Sequence, residues 1–314
     1  MGFSKTYSIY GKAKQIAWVV LLGIMFTACI TDEEEGSSCI DGCPNFLLID
    51  YEPSWSPDGE WIAYLHVDSQ PSHTGIYRIK PDGSENTLLI PGAQNPSWSP
   101  DSKKLAYSLG AQIWVMELES GSTEQLTFEG RNFSPNWNPD GTILLFRQSI
   151  CTNIPCGVWM MEIGKSPKFL VSYGTPSNFH PTQELFVYRR SWVESDGDVL
   201  GDSLFCYNVK ESENVFVTTL SSSEFISNKY FRFEKSGDSF LFSSFAIETE
   251  ASSIFVMTNG NTKPQLLKAD AHTADWAPDG RRIVYTNSNA DNGRLHILDM
   301  GSNQSQQLTY DNQF

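Results

Sequence analysis

The sequence predicts an all-β fold, a six-bladed β-propeller of four-stranded antiparallel blades, on three observations. A tetrad Ser-Pro-Asp-Gly, with Trp before it and an apolar run after it, recurs along the 314 residues. The recurrence has a period of about forty residues, and each period holds four strand-like runs, the pattern of a closed radial array. Beyond the first 28 residues, no stretch keeps the spacing of an amphipathic helix.

The tetrad is complete at Trp55-Ser56-Pro57-Asp58-Gly59. It returns as Trp98-Ser99-Pro100-Asp101-Ser102, Trp137-Asn138-Pro139-Asp140-Gly141 and Trp276-Ala277-Pro278-Asp279-Gly280. Worn copies stand at Phe179-His180-Pro181 and at Phe233-Glu234-Lys235-Ser236-Gly237-Asp238. The anchors at 55, 98, 137, 179, 233 and 276 are separated by 43, 39, 42, 54 and 43 residues.

In each repeat the first strand ends at the anchor. The second is an apolar run such as Trp61-Ile62-Ala63-Tyr64 or Ile143-Leu144-Leu145-Phe146. The third reads Ile76-Tyr77-Arg78-Ile79, Ile113-Trp114-Val115-Met116, Val158-Trp159-Met160-Met161 and so on to Leu295-His296-Ile297-Leu298. The fourth is short, as in Gln125-Leu126-Thr127 and Gln307-Leu308-Thr309. β-Branched and aromatic residues fill these runs, and Gly, Pro, Asp, Asn and Ser bound them. Residues 46–50 also resemble a fourth strand. That leaves two ways to close the ring: side-chain packing alone, or an added outer strand from the N-terminal segment.

The tetrad has a mechanical role. Pro57 presets the second position of a turn, Asp58 bonds back to the local backbone, and Gly59 takes the left-handed conformation. The Trp leaves the innermost strand to wedge between blades, removing ~150–250 Å² of surface from water. A metal or ligand site at Asp58, Asp101, Asp140 and Asp279 is the competing reading, but the turn already accounts for every residue of the tetrad.

These repeats resemble those of TolB-type propellers, the WD-like family with Pro-Asp-Gly turns, over residues 46–314. TolB itself carries an α/β domain ahead of its propeller and is a soluble periplasmic protein. Here residues 30–45 are too few for such a domain, so the resemblance implies the propeller and not the Tol-system role.

The expected organisation is a lipoprotein signal peptide over residues 1–28, an acidic tether over 29–45 and the propeller over 46–314. Lys5, Lys12 and Lys14 precede an apolar run over residues 16–26, and Thr27 and Ala28 lead to Cys29. Such an ending resembles a bacterial lipobox, which implies lipidation of Cys29 and attachment to a membrane through acyl chains; an ordinary signal peptide is the alternative. The run Asp32-Glu33-Glu34-Glu35 resembles a surface-export signal of some Gram-negative lipoproteins, and reads equally as a solvated tether. The expected location is therefore the outer membrane, on its periplasmic or cell-surface side.

The formal charge is −15, and without the three lysines of the leader 37 acidic side chains face 19 basic ones. That balance excludes nucleic acid as a partner. Cys39 and Cys43 form one candidate disulfide, Cys151 and Cys156 another, in an oxidising compartment. Cys206 lies in an apolar strand and reads as a buried free thiol.

Catalytic chemistry has little to stand on. The five His (His66, His73, His180, His272 and His296) form no pair at ligand spacing, and no nucleophile elbow occurs. No cofactor or metal is expected. Asp196, Asp198 and Asp202 fall in the long fourth repeat, where a solvated hairpin tip and a calcium site are the two readings; the spacing lacks the EF-hand frame.

Ligand sites of propellers gather at one mouth of the channel, where equivalent loops converge. The loops entering the innermost strands place Tyr51, Gln94, Arg131, Asn132, Lys229 and His272 there. This mixed polar and aromatic ring suits a peptide or glycan better than a metal. The expected function is a monomeric, non-catalytic, lipid-anchored module that binds a protein or glycan of the cell envelope. A propeller-type lyase or hydrolase using the funnel is the alternative.

Overall fold

Each repeat folds as one antiparallel sheet whose strands lie in sequence order from the channel outward. The computed structural model describes residues 48–149, 155–193, 199–219, 224–225, 231–246, 251–258, 263–287 and 293–310. Blade 1 comprises Ile49–Trp55, Ile62–Val67, Gly75–Ile79 and Thr87–Pro91. Blade 2 comprises Gln94–Trp98, Lys104–Leu109, Gln112–Glu117 and Thr123–Gln125. Blade 3 is built from Asn132–Trp137, Ile143–Gln148, Gly157–Glu162 and Lys168–Ser172. Blade 4 uses Gly174–Phe179, Leu185–Val193, Val199–Asn208 and Glu213–Thr219.

In blade 5 the inner strand comes in two pieces, Glu224–Phe225 and Arg232–Phe233, both paired with Ser239–Ala246. Ala251–Thr258 and Gln265–Ala269 complete it. Blade 6 is Ala271–Trp276, Arg282–Asn287, Leu295–Asp299 and Gln304–Gln307. The fold is thus an all-β, six-bladed propeller of four-stranded blades, as the repeats predict. Among the described residues no helix is long and apolar enough to cross a membrane.

Second strands are apolar at their centres because both of their faces are buried there. Ile62 and Tyr64 pack against blade 6, while Ala63 between them packs against blade 2. Leu144 and Phe146 face blade 2, and Leu145 faces blade 4. The core is therefore a series of clusters between blades, with no central one, since each strand alternates sides. The anchors sit in these seams: Trp98 donates from Nε1 to the Ser54 carbonyl of blade 1 at 2.9 Å, and Trp276 to the Arg232 carbonyl of blade 5 at 3.1 Å.

The tetrad folds as its residue types require. Ser56 Oγ donates to Asp58 Oδ1 and accepts from the Trp61 amide, while Asp58 Oδ1 accepts from the Glu60 amide. The same bonds recur at Ser99–Asp101 and Asn138–Asp140. Gly59 and Gly141 adopt φ of 81° and 75° and lie against Pro278 and Pro100 of the preceding blades, so the turns pack side by side around one end of the channel. The acids of the tetrad are turn residues.

Among the described residues, ring closure uses no shared strand. Leu48 and Asp50 do not lay an outer strand on blade 6; Ile49–Trp55 is the innermost strand of blade 1, and blade 6 is complete from its own residues. The seam is instead ionic. Asp50 is fully buried and holds His66 Nδ1 at 2.7 Å, the Thr309 hydroxyl, and Arg294 at 3.5 Å. At the blade 2–blade 3 junction the equivalent positions are neutral: Gln112 accepts from Thr127 and Asn132. Both threonines also accept from a third-strand amide, that of Ile113 or Leu295.

Candidate functional site

First strands run toward the tetrad turns. The opposite end of the channel therefore collects the starts of the first strands, the hairpin loops between second and third strands, and the connections between blades. The predicted mouth lies at this entry face. So does the long fourth repeat, whose extra residues lengthen the hairpin of Leu185–Val193 and Val199–Asn208.

A collar lines part of the wall, three residues before the anchors of four blades. Glu52, Asn95 and Ser134 take φ of 56°, 57° and 56°, each at a break in strand register. A left-handed bulge residue turns its amide out of the ladder, and here each amide finds the side chain of the preceding blade. Glu52 N donates to Thr273 Oγ1 (3.3 Å), Asn95 N to Glu52 Oε2 (3.0 Å), and Ser134 N to Asn95 Oδ1 (3.3 Å). The collar follows the blade order 6, 1, 2, 3.

Deeper in the channel, the residue before each anchor is polar: Ser54, Ser97, Asn136, Asn178, Arg232 and Asp275. Arg232 is buried among them. Its guanidinium donates to Asn136 of blade 3 at 3.1 Å, to Asn178 of blade 4, and lies 3.4 Å from Asp275 of blade 6. Asp275 in turn accepts from the Trp55 amide of blade 1 at 2.8 Å. Burial raises the carboxyl pKa of Asp275, against the lowering effect of Arg232. One cation thus ties blades 3, 4, 5 and 6 together and reaches blade 1 through Asp275.

Tyr51 and His272 meet at the rim with ring centroids 6.2 Å apart. Burial, then the charge of Glu52, raises the pKa of Tyr51, and burial lowers that of His272, so both stay neutral at neutral pH. Gln94 is half-buried on the blade 2 side, and Arg131 lies over the Phe133 ring at 5.9 Å. Asn132 is turned into the wall: only 1% exposed, it donates to Gln112 and to the Glu129 carbonyl.

Lys229 falls outside the described residues, as do Cys29, Cys39, Cys43, Cys151, Asp196 and Asp198, and the side chain of Asp202. Cys156 is disulfide-bonded. Cys206 is a free thiol, partly buried, with its pKa pushed up to about 11 by burial. No group of three metal-ligating side chains occurs among the described residues.

Sequence reasoning missed part of the entry face. Phe128, Tyr173 and Tyr310 stand at the ends of fourth strands with 75%, 73% and 46% of their surface exposed. An aromatic directly after Thr127 and Thr309 was the available signal. The ring headed by Arg232 was also visible, as a polar residue before every apolar anchor.

Residues 42–183 match the PD40 family, the TolB beta propeller domain. Among solved structures, TolB from Acinetobacter baumannii superposes with a TM-score of 0.65 at 17% identity, covering 83% of this chain and 63% of that one. The chain thus spans about 63% of the length of that TolB. Oligogalacturonate lyase from Vibrio parahaemolyticus gives 0.56 at 12% identity, over 86% and 81% of the two chains. The propeller domain of the Trilobed protease from Pyrococcus furiosus, described as having an open velcro topology, gives 0.50 at 16%, over 84% and 83%. No curated protein matches the sequence significantly.

Proposed function

We propose that this six-bladed β-propeller, whose residues 42–183 match the TolB beta propeller domain, is a non-catalytic binding module of the cell envelope, held to the outer membrane by lipidated Cys29. The entry face takes a segment of a partner, a protein or a glycan. What supports this reading is the grouping at the entry face: Tyr51 beside His272, the polar network around Arg232 deeper in the channel, and exposed Phe128, Tyr173 and Tyr310 at the ends of fourth strands. Convergent loops with a few polar groups among aromatics are the usual make-up of a recognition surface.

Two experiments test the two halves. Replacing Tyr51, Gln94 and His272 together by Ala abolishes co-purification of the cross-linked partner, while circular dichroism shows that the propeller still folds. Full retention moves the site off the mouth. Turnover of a glycan or peptide that is lost on changing His272 alone would replace the binding module with an enzyme. For the anchor, Cys29→Ser shifts the protein from the membrane to the soluble fraction or leaves it unprocessed; unchanged mass and fractionation would remove the lipid from the account.

A further inference from the structure

Three large rings stand open to solvent at one end of the propeller. Phe128, Tyr173 and Tyr310 lie in the segments that leave the fourth strands of blades 2, 3 and 6, all on the entry face. Among the described residues the tetrad end has no exposed aromatic ring; the other exposed ring, Phe216, lies on the outer edge of blade 4. Rings gathered on one face of a chain mark a surface that meets something less polar than water.

The chain from Cys29 enters the propeller at the same end. Leu48 begins the described chain, 19 residues after Cys29. Its carbonyl accepts from Arg294 at 3.3 Å, and the Asp50 amide donates to the Gly293 carbonyl at 2.9 Å. Both partners lie just before the third strand of blade 6, where the hairpin turns on the entry side. The Thr309 hydroxyl donates to Asp50, so Tyr310 leaves the propeller at this seam too. The length of chain back to Cys29 reaches at most ~65 Å, so a lipidated Cys29 keeps the propeller at the bilayer, attached through its entry face.

Charge agrees with that orientation. Asp58, Asp101, Asp140 and Asp279 are exposed in the tetrad turns, and moving ionised carboxylates out of water is costly. On the entry face, Glu129 follows Phe128, and Asp270 stands between blades 5 and 6, both exposed. Their carboxylates suit headgroups that carry an ammonium, as in phosphatidylethanolamine, and are repelled by anionic ones. We propose that the entry face rests on the bilayer that holds Cys29, with Phe128, Tyr173 and Tyr310 in its zwitterionic headgroup layer. Aromatic side chains concentrate at that level of a membrane. This rests on the proposed function and its lipidated Cys29, and it narrows the partner: the segment taken beside Tyr51 and His272 is carried by that same membrane.

The test uses the mature protein, extracted from membranes and reconstituted into vesicles of phosphatidylethanolamine and phosphatidylcholine that contain a diazirine-bearing phosphatidylcholine. Intact mass first reads the acylation of Cys29; an unmodified Cys29 overturns both the anchor and this inference. With Cys29 acylated, irradiation is expected to place lipid adducts on the peptides around Phe128, Tyr173 and Tyr310 several-fold more often than on those around Asp58 and Asp140. A Phe128→Ser, Tyr173→Ser, Tyr310→Ser variant, shown by circular dichroism to fold, should lose most of that excess. Replacing phosphatidylethanolamine by phosphatidylglycerol should lower it as well. An excess that survives in phosphatidylglycerol overturns the headgroup assignment. No adducts on the propeller, adducts that favour the tetrad peptides or fall evenly on both ends, or an excess unchanged in the triple variant overturn the membrane-facing orientation. If any of these occurs while the Tyr51, Gln94 and His272 variant still loses its partner, the binding module stands and this inference alone falls.

Discussion

At the scale of single residues, the anchors and the turn acids carry the stability. Trp98 fills the seam between blades 1 and 2 with its indole nitrogen on the Ser54 carbonyl. Trp98→Ala should cost ~3–5 kcal/mol in urea unfolding, whereas Tyr173→Ala, at an exposed position, should stay within about 0.5 kcal/mol. Equal losses would mean that the anchors are not the inter-blade wedges.

The turn acids set a pH dependence. The Ser99 hydroxyl and then the Lys103 amide hold Asp101 below the usual carboxylate range; the Thr142 hydroxyl does the same for Asp140, against a smaller opposing effect of burial. A lowered folded value makes the unfolded chain bind more protons at acid pH. The stabilisation is therefore complete above the unfolded value of ~3.9 and is lost as pH falls through the folded values. The urea midpoint should drop on acidification below about pH 4, and less steeply in an Asp101→Asn, Asp140→Asn double variant, which starts from a lower plateau.

At the scale of elements, the closing seam differs from an interior one mainly in charge. Asp50, Arg294 and Thr309 occupy the places that Asn132, Gln112 and Thr127 hold between blades 2 and 3. Asp50→Asn removes the buried carboxylate that faces Arg294 and should cost ~3–5 kcal/mol. Adding Arg294→Gln rebuilds the neutral arrangement and should recover most of that loss, read by urea unfolding and by amide exchange at Leu295. A double variant no more stable than Asp50→Asn would show that the seam needs its charges for another reason.

The blades themselves were legible in the sequence because turn and strand signals are local. Pro57, Asp58 and Gly59 specify a turn whatever surrounds them, and the apolar second strands follow directly. The collar and the Arg232 network were not legible. Whether Glu52 bonds Asn95 depends on a left-handed bulge that sets the amide toward the next blade, and neither residue type demands one. Asn132 was expected at the rim because its place in the chain suggests it; its amide instead serves Gln112 in the wall.

At the scale of the whole molecule, a ring of six blades presents two ends with different work. The tetrad turns occupy one end and are engaged in packing against each other. The entry face holds the Tyr51–His272 pair, the exposed aromatics and the lengthened hairpin of blade 4. The most direct test of this division is site-specific photo-cross-linking in cells, with a photoreactive residue placed in turn at Tyr51, at Asp58 in a tetrad turn, and at Phe216 on the outer edge of blade 4. A partner adduct from position 51, with none from 58 or 216, is the predicted result. Adducts from position 58 or 216 and none from 51 would contradict the account.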